Sequence, residues 1–254
     1  MTTTTTEQSA AELAGHQGFA IISNEKLRQL YLSMVKCRLL AERLQNRAGE
    51  TAPEHEAVAA GIISALLPGD AAAPSCVAVR FLQGELQGKP LEELLSHDAE
   101  SDLASQLKLT LRAAQAGKKA GKGQIAVVFQ EGNSGFGKAL KQASAKRLPV
   151  IFVRQNSVLS ESFGAQADGV PVIPVDGADV VAVYRVATES ITHARKGNGP
   201  TLIECYFDPS EVHDPILKME AYLTRQGLFR EAWKQEEAAS FRRKLNAALR
   251  AANR

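Results

Sequence analysis

The second half of the chain carries four short apolar runs separated by amphipathic segments. The runs are residues 125–129, 149–153, 170–175 and 201–207. Runs that are apolar at nearly every position are typical of strands buried on both faces. Strands that alternate with helices need crossover connections, and these place parallel strands side by side. The sequence therefore predicts an α/β fold with three layers, α/β/α, and a mostly parallel sheet.

Helical patterns surround these runs. Apolar residues recur at helical spacing from Leu27 to Leu40, after Ser23 or Asn24 as a cap. Further helices are predicted at 55–67, 90–97, 103–116, 138–146, 178–196 and 214–254, the last with a break near Gly227. Residues 75–82 are predicted as a strand. Residues 1–17 form a Thr-, Ala- and Gln-rich tract that predicts a disordered tail, and residues 18–254 are predicted to form a single domain with helical N- and C-terminal extensions.

Composition excludes several classes of protein. The chain has 254 residues with 30 Lys and Arg against 28 Asp and Glu, so its net charge of +2 argues against a general nucleic-acid binder. No apolar run approaches the roughly 18 residues of a membrane span, and the first residues lack the pattern of a secretory signal. Cys37, Cys76 and Cys205 are far apart in sequence, which suits a reducing compartment. We expect a cytoplasmic protein that binds neither nucleic acid nor membrane.

Polar residues follow the first two predicted strands, where ligands bind in open parallel sheets. Glu131 and Gly132 open a glycine-rich turn that leads to a helix N-terminus, and Asn156 follows the next strand. Nine Lys or Arg and one acid lie between Lys108 and Arg147, a balance that fits a diphosphate ligand. The alternative is that these lysines only solvate a surface loop. If an anion binds, we expect it at the 132–137 turn, near Lys138 and within reach of Asn156.

The same turn nearly matches a nucleotide-binding motif. Residues 132–138 fit G-x-x-x-x-G-K, but the next residue is Ala139, which lacks the hydroxyl that would hold Mg²⁺. Arg154 stands after the neighbouring strand, where an acid would be expected. A nucleotide triphosphatase is therefore the third-ranked hypothesis. No G-x-S-x-G or H-E-x-x-H motif occurs in the sequence, so no motif supports a serine hydrolase or a zinc protease of the zincin class.

Several segments together resemble one family, the alpha subunit of the thiamine-diphosphate-dependent, decarboxylating dehydrogenase component of 2-oxo acid dehydrogenase complexes. VDGADVVAVY and GNGPTLIE are the most specific of them. The matching segments occur in family order at residues 30–44, 55–70, 88–95, 148–156, 174–205 and 214–229. The resemblance implies a thiamine-diphosphate-binding fold and oxidative decarboxylation of a 2-oxo acid.

The resemblance also implies a cofactor site, in which Mg²⁺ links the protein to the diphosphate. In the family, a Gly-Asp-Gly turn, a later Asn and a backbone carbonyl two residues beyond it hold the metal. By position, the metal ligands here would be Glu131, Asn156 and the carbonyl of Val158. The implied cofactor-binding residues are Gly132, Asn133, Gly135, Lys138 and Arg80.

The chain departs from the family pattern within this site. Gln130 replaces the first glycine, and Glu131 is one methylene longer than the family's Asp. Only Arg80 could replace the family's Tyr-Arg clamp, after a shift of one residue. The loop before Asp214 is too short for the family's active-site loop, and His213 is its only remnant and the only catalytic candidate. Because Mg²⁺ tolerates displaced ligands poorly, we expect a weakened site.

Two main hypotheses follow from the resemblance. The chain is an active subunit that relies on a beta-type chain for the carboxylate that activates the cofactor, or it is a non-catalytic, oligomeric binding or scaffold homologue. A homodimer is also expected, because the small residues of helix 56–67 would allow close packing between subunits.

Overall fold

The computed structural model describes residues 22–44, 55–73, 76–95, 102–132, 136–156, 166–208 and 214–252. The predicted tail, residues 1–17, lies outside this range, and so do four predicted site residues. These four are Asn133, Gly135, Val158 and His213.

A six-stranded sheet forms the centre of the molecule, in the order β1-β2-β3-β6-β5-β4. Its strands are β1 (Ala71–Ala72), β2 (Ala126–Glu131), β3 (Val150–Asn156), β4 (Gln166–Ala167), β5 (Val170–Asp176) and β6 (Thr201–Tyr206). All neighbouring pairs are parallel except β4 and β5, which are antiparallel. The mostly parallel sheet predicted from the four apolar runs is confirmed.

Alternate residues of the strands enter two separate cores, one on each face of the sheet. Val127, Phe129 and Ile151 belong to the larger core, whereas Val128 and Phe152 belong to the smaller one. Side chains of successive strand residues point to opposite faces, so a run buried on both sides must be apolar throughout. The two cores define the three layers of the fold.

The helices divide between the two faces. The smaller core is covered by α5 (Leu103–Ala120) and α6 (Gly137–Ala145). The larger core is covered by α1 (Asn24–Leu44), α2 (His55–Ile63), α3 (Val77–Leu86), α4 (Leu91–Leu95), α7 (Val180–Arg195), α8 (Pro215–Arg225) and α9 (Glu231–Ala252). None of the described helices combines the length and the apolar composition that crossing a membrane requires.

The predicted strand at 75–82 is wrong, because residues 77–82 lie in helix α3. Its buried residues are Ala78, Val79, Phe81 and Leu82. That spacing places them on one side of a helix, whereas a half-buried strand would bury alternate residues. The helix predicted at 103–116 continues to Ala120, because Gly117 packs closely against Gln124 instead of breaking the helix.

Helix α2 is buried within the chain itself. All of its residues from Glu56 to Ile63 are buried, and it packs against α1, α3 and α7. A Cβ atom at Gly61 would lie 2.6 Å from Cγ1 of Val183 in α7. The close approach that the small residues allow is therefore made inside one subunit. The small residues of this helix therefore no longer support the expected homodimer.

Candidate functional site at the carboxyl edge of the sheet

The carboxyl ends of the central strands bring polar residues to one edge of the sheet. In the register of the strands, Glu131 pairs with Gln155, and Asn156 and Asp176 both pair with Tyr206. In an open α/β sheet this edge is where ligands bind. The edge contains two of the three predicted metal ligands.

Glu131 is paired with a histidine that the sequence reasoning did not select. Nδ1 of His55, the first residue of α2, lies 3.1 Å from Oε1 of Glu131. The imidazole ring also packs against Phe207, with 5.9 Å between the ring centroids. The Glu131 side chain is 63% exposed, and that of His55 is 13% exposed. The only signal in the sequence is that a histidine opens a helix that is apolar from Ala57 onward.

Phe207 forms one wall of this site by lying directly over a glycine. A Cβ atom at residue 177 would lie 2.5 Å from Cζ of Phe207, so only glycine permits the contact. The N–H of Gly177 donates to the carbonyl of Tyr206 at 2.8 Å, and the N–H of Phe207 donates to the carbonyl of Asn156 at 3.0 Å. The VDGAD turn thus fixes the position of the wall beside His55.

Asn156 belongs to a buried polar cluster on the other face of the sheet. Its Nδ2 donates to Oε1 of Glu204 at 3.1 Å, and Nη1 of Arg154 reaches the same oxygen at 3.4 Å. Glu204 is 1% exposed, and the guanidinium of Arg154 lies 5.9 Å from the ring centroid of Phe136. Oδ1 of Asn156 is buried and has no hydrogen-bond partner among the described residues.

The structure does not bring together Glu131 and Asn156, the two predicted metal ligands within the described residues. Glu131 is in register with Gln155, so its side chain starts on the face opposite to that of Asn156. Each of the two has a separate partner, His55 or Glu204. Within the described ranges, no three His, Cys, Asp or Glu side chains cluster closely enough to hold a metal ion. These residues, as placed, do not fit an octahedral Mg²⁺ shell.

The predicted cofactor-binding residues are also separated. The N–H of Gly132, at φ +78°, already donates to the carbonyl of Gln155 at 2.9 Å. Lys138 lies on α6, over the smaller core, whereas Arg80 lies on α3, over the larger core. Within the described part of the chain, Arg80 makes no ion pair. The anion cradle at residues 132–137 therefore remains a prediction.

A buried ion cluster lies immediately behind His55. Arg38 donates from Nε and Nη2 to both carboxylate oxygens of Glu56 at 2.8 Å, and from Nη1 to Oδ2 of Asp214 at 2.6 Å. Burial raises the pKa of Glu56 to about 7 although Arg38 opposes the shift. Asp214 is also partly desolvated, but its bonds to Arg38 keep its pKa below the usual value.

This cluster ties three helices together at the edge of the site. Arg38 belongs to α1 and Glu56 to α2, and Asp214 caps α8 by accepting from the N–H groups of Ile216 and Leu217. It therefore fixes the chain directly after His213, the predicted catalytic residue outside the described range. Arg38 carries one positive charge and pairs with two carboxylates, so one negative charge is not compensated. Glu56 is the more buried of the two carboxyl groups and therefore retains its proton to higher pH than Asp214 does.

Comparisons with known proteins agree with the fold. Residues 95–207, which include β2, β3, β5 and β6, match the model of a family described as dehydrogenase E1 component. The chain is 39% identical to the alpha subunit of acetoin:2,6-dichlorophenolindophenol oxidoreductase of Cupriavidus necator, over 37% of this chain and 33% of that protein. It is 32% identical to the chloroplastic pyruvate dehydrogenase E1 component subunit alpha-3 of Arabidopsis thaliana, over 39% of this chain and 31% of that protein.

A longer match extends over most of the chain. The pyruvate dehydrogenase E1 component subunit alpha of Staphylococcus epidermidis is 27% identical over 91% of this chain and 79% of its own length. The two more similar relatives are matched over only about a third of their length. The chain is thus similar in sequence to the dehydrogenase E1 component. The pyruvate dehydrogenase relatives that it matches are alpha subunits.

Proposed function

We propose that the chain acts as an alpha-type subunit of a 2-oxo acid dehydrogenase whose own cofactor site binds thiamine diphosphate weakly. The match to alpha subunits of pyruvate dehydrogenase supports the subunit type. Weak cofactor binding is supported by one observation: the side chains of Glu131 and Asn156 lie on opposite faces of the sheet. Mg²⁺ needs oxygen ligands close to octahedral positions, whereas the side chains of Glu131 and Asn156 start on opposite faces of the sheet.

Two costs would oppose cofactor binding. Glu131 would have to leave His55 and reach Oδ1 of Asn156, although the two side chains start on opposite faces of the sheet. The family's cationic clamp is also reduced to Arg80, which lies on α3. Each missing charge-assisted hydrogen bond is worth roughly 1.5–3 kcal/mol, so losing even one lowers the affinity by about tenfold to a hundredfold.

We propose that the partner is a beta-type subunit. The family relationship assigns the carboxylate that activates the cofactor to a separate chain, so turnover of a 2-oxo acid would need that chain.

A homodimer is the second form of assembly that we propose. We also propose a cytoplasmic location, on the spacing of the three cysteines.

A second function is favoured by the same altered site. The chain would then be a non-catalytic scaffold that keeps the association surfaces of an alpha subunit. A nucleotide triphosphatase ranks third, because Ala139 supplies no hydroxyl where such a site needs one.

Calorimetry and co-purification separate these functions. The chain is titrated with thiamine diphosphate and Mg²⁺, with ATP and Mg²⁺ as the control ligand. It is also co-expressed with a pyruvate dehydrogenase beta subunit, and the purified complex is assayed for decarboxylation of pyruvate. An alpha-type subunit should co-purify with the beta subunit and restore turnover. A scaffold should co-purify without turnover, and saturable heat with ATP alone would favour the triphosphatase.

A further inference from the structure

A groove between α5 and α6 lies on the smaller-core side of the sheet. Its volume is about 770 Å³, and its lining residues come from these two helices. The α5 residues of the lining run from Ala104 to Gln115, which is about 16 Å or three helical turns. The groove is therefore long enough for a short helix.

Helix α5 presents two different stripes. Gln106, Thr110, Ala114 and Gly117 are buried, and they recur at intervals of three or four residues. A second stripe at the same intervals lines the groove instead. Its residues are Ala104, Leu107, Lys108, Leu111, Arg112 and Gln115. Because residues three and four apart share one face of a helix, the second stripe is an amphipathic seam that no element of the described chain covers.

The floor of the groove is apolar and its rim is basic. Leu107 and Leu111 are partly buried against the smaller core. Lys108, Arg112 and Lys138 are exposed around them, and the described lining residues include no carboxylate.

Two acids of the described chain are bonded to residues of these two helices. Asp102 caps α5 by accepting from Ser105, and Asp168 pairs with Lys141 at 3.4 Å. Among the described residues that line the groove, none carries a negative charge beside Lys108, Arg112 and Lys138. Residues 108–147 carry nine Lys or Arg and one acid, although the chain as a whole has a net charge of only +2.

We infer that this groove is the docking site for an acidic amphipathic helix of another protein. Leucine-sized side chains on one face of that helix would cover Leu107 and Leu111, and carboxylates beside them would pair with Lys108, Arg112 and Lys138. The groove has no aromatic side chain on which bases could stack, which disfavours single-stranded nucleic acid as the occupant. The groove shares Lys138 with the anion cradle predicted at residues 132–137, so the test changes only Lys108 and Arg112, which are not predicted cofactor-site residues.

The test uses a fluorescein-labelled peptide of about twelve residues, with Leu at helical spacing and Glu elsewhere. Fluorescence polarisation measures its binding to the full chain and to the double variant Lys108→Glu/Arg112→Glu. The matched control is Lys119→Glu/Lys122→Glu, which makes the same change of charge at exposed positions outside the groove. Circular dichroism confirms that both variants are folded.

We expect the groove variant to lower the affinity by about tenfold or more, and the control variant to change it less than about twofold. A scrambled peptide of the same composition should bind more weakly than the amphipathic one. Equal loss in both variants, equal binding of the scrambled peptide, or no binding of the amphipathic peptide would overturn the inference. Tighter binding of a single-stranded oligonucleotide that the groove variant abolishes would also overturn it, in favour of a nucleic-acid site.

Discussion

The ion cluster behind His55 predicts an unusual dependence of stability on pH. Glu56 has a folded-state pKa of about 7, because burial disfavours its charged form. In the unfolded chain its pKa returns to about 4.5. Between these two values the folded state holds a proton that the unfolded state has lost. The contribution of Glu56 to stability is therefore present at low pH and is lost as pH rises through this window.

The size of the effect follows from the same two values. One pKa unit corresponds to about 1.4 kcal/mol, so Glu56 should lower the free energy of unfolding by roughly 3 kcal/mol between pH 4.5 and 7. Asp214 acts in the opposite direction, because its pKa is held below the usual value. Its stabilising contribution is already complete at pH 5, so the range from pH 5 to 8 isolates Glu56.

The substitution Glu56→Gln removes this titration and keeps the size of the side chain. Urea unfolding followed by circular dichroism, from pH 5 to 8, gives the free energy of unfolding of both proteins. The wild-type protein should lose about 2–3 kcal/mol more than the variant across this range. Glu85→Gln is the matched control, because Glu85 pairs with Lys36 at the surface. Parallel curves for wild type and Glu56→Gln would refute the reasoning.

Two further substitutions test the packing and the polar cluster. Gly61→Ala would place a Cβ atom 2.6 Å from Cγ1 of Val183, so the free energy of unfolding should fall by about 1–2 kcal/mol despite the better helix propensity of alanine. Gly137→Ala is the control, because a Cβ atom at residue 137 would meet no other atom within 4 Å. An equal change in the free energy of unfolding for Gly61→Ala and Gly137→Ala would contradict this account. Glu204→Ala should cost about 3–5 kcal/mol, because it leaves the guanidinium of Arg154 buried without its carboxylate. Glu204→Gln keeps an oxygen for its neighbours and should cost less in the same urea titration.

The fold could be predicted from the sequence because the signals for it are local. The apolar runs of β2, β3, β5 and β6 are continuous, and such runs have few other stable arrangements in a soluble chain. The prediction of a strand at 75–82 is wrong because a short apolar run does not distinguish a strand from a buried helix. Strand β1 has only two residues, and its pairing with β2 is a long-range contact that no local pattern records.

The candidate site could be predicted only in part. Positions at strand ends can be read from the sequence, and Glu131 and Asn156 do lie at the carboxyl edge of the sheet. The face to which each side chain points depends on the register of β2 with β3, which the sequence does not show. The pairing of His55 with Glu131 joins residues 76 positions apart, so only the packing of α2 against the sheet reveals it.

Calorimetry of thiamine diphosphate binding is the most direct test of the weakened cofactor site. The unmodified chain and the double variant Gln130→Gly/Glu131→Asp are titrated with thiamine diphosphate in the presence and absence of Mg²⁺. The variant has the Gly-Asp-Gly turn that the family resemblance implies for the metal site, with a carboxylate one methylene shorter than that of Glu131. We expect little saturable heat from the unmodified chain and Mg²⁺-dependent binding that is stronger in the variant. Binding by the unmodified chain at low micromolar concentration, with no gain in the variant, would contradict the account.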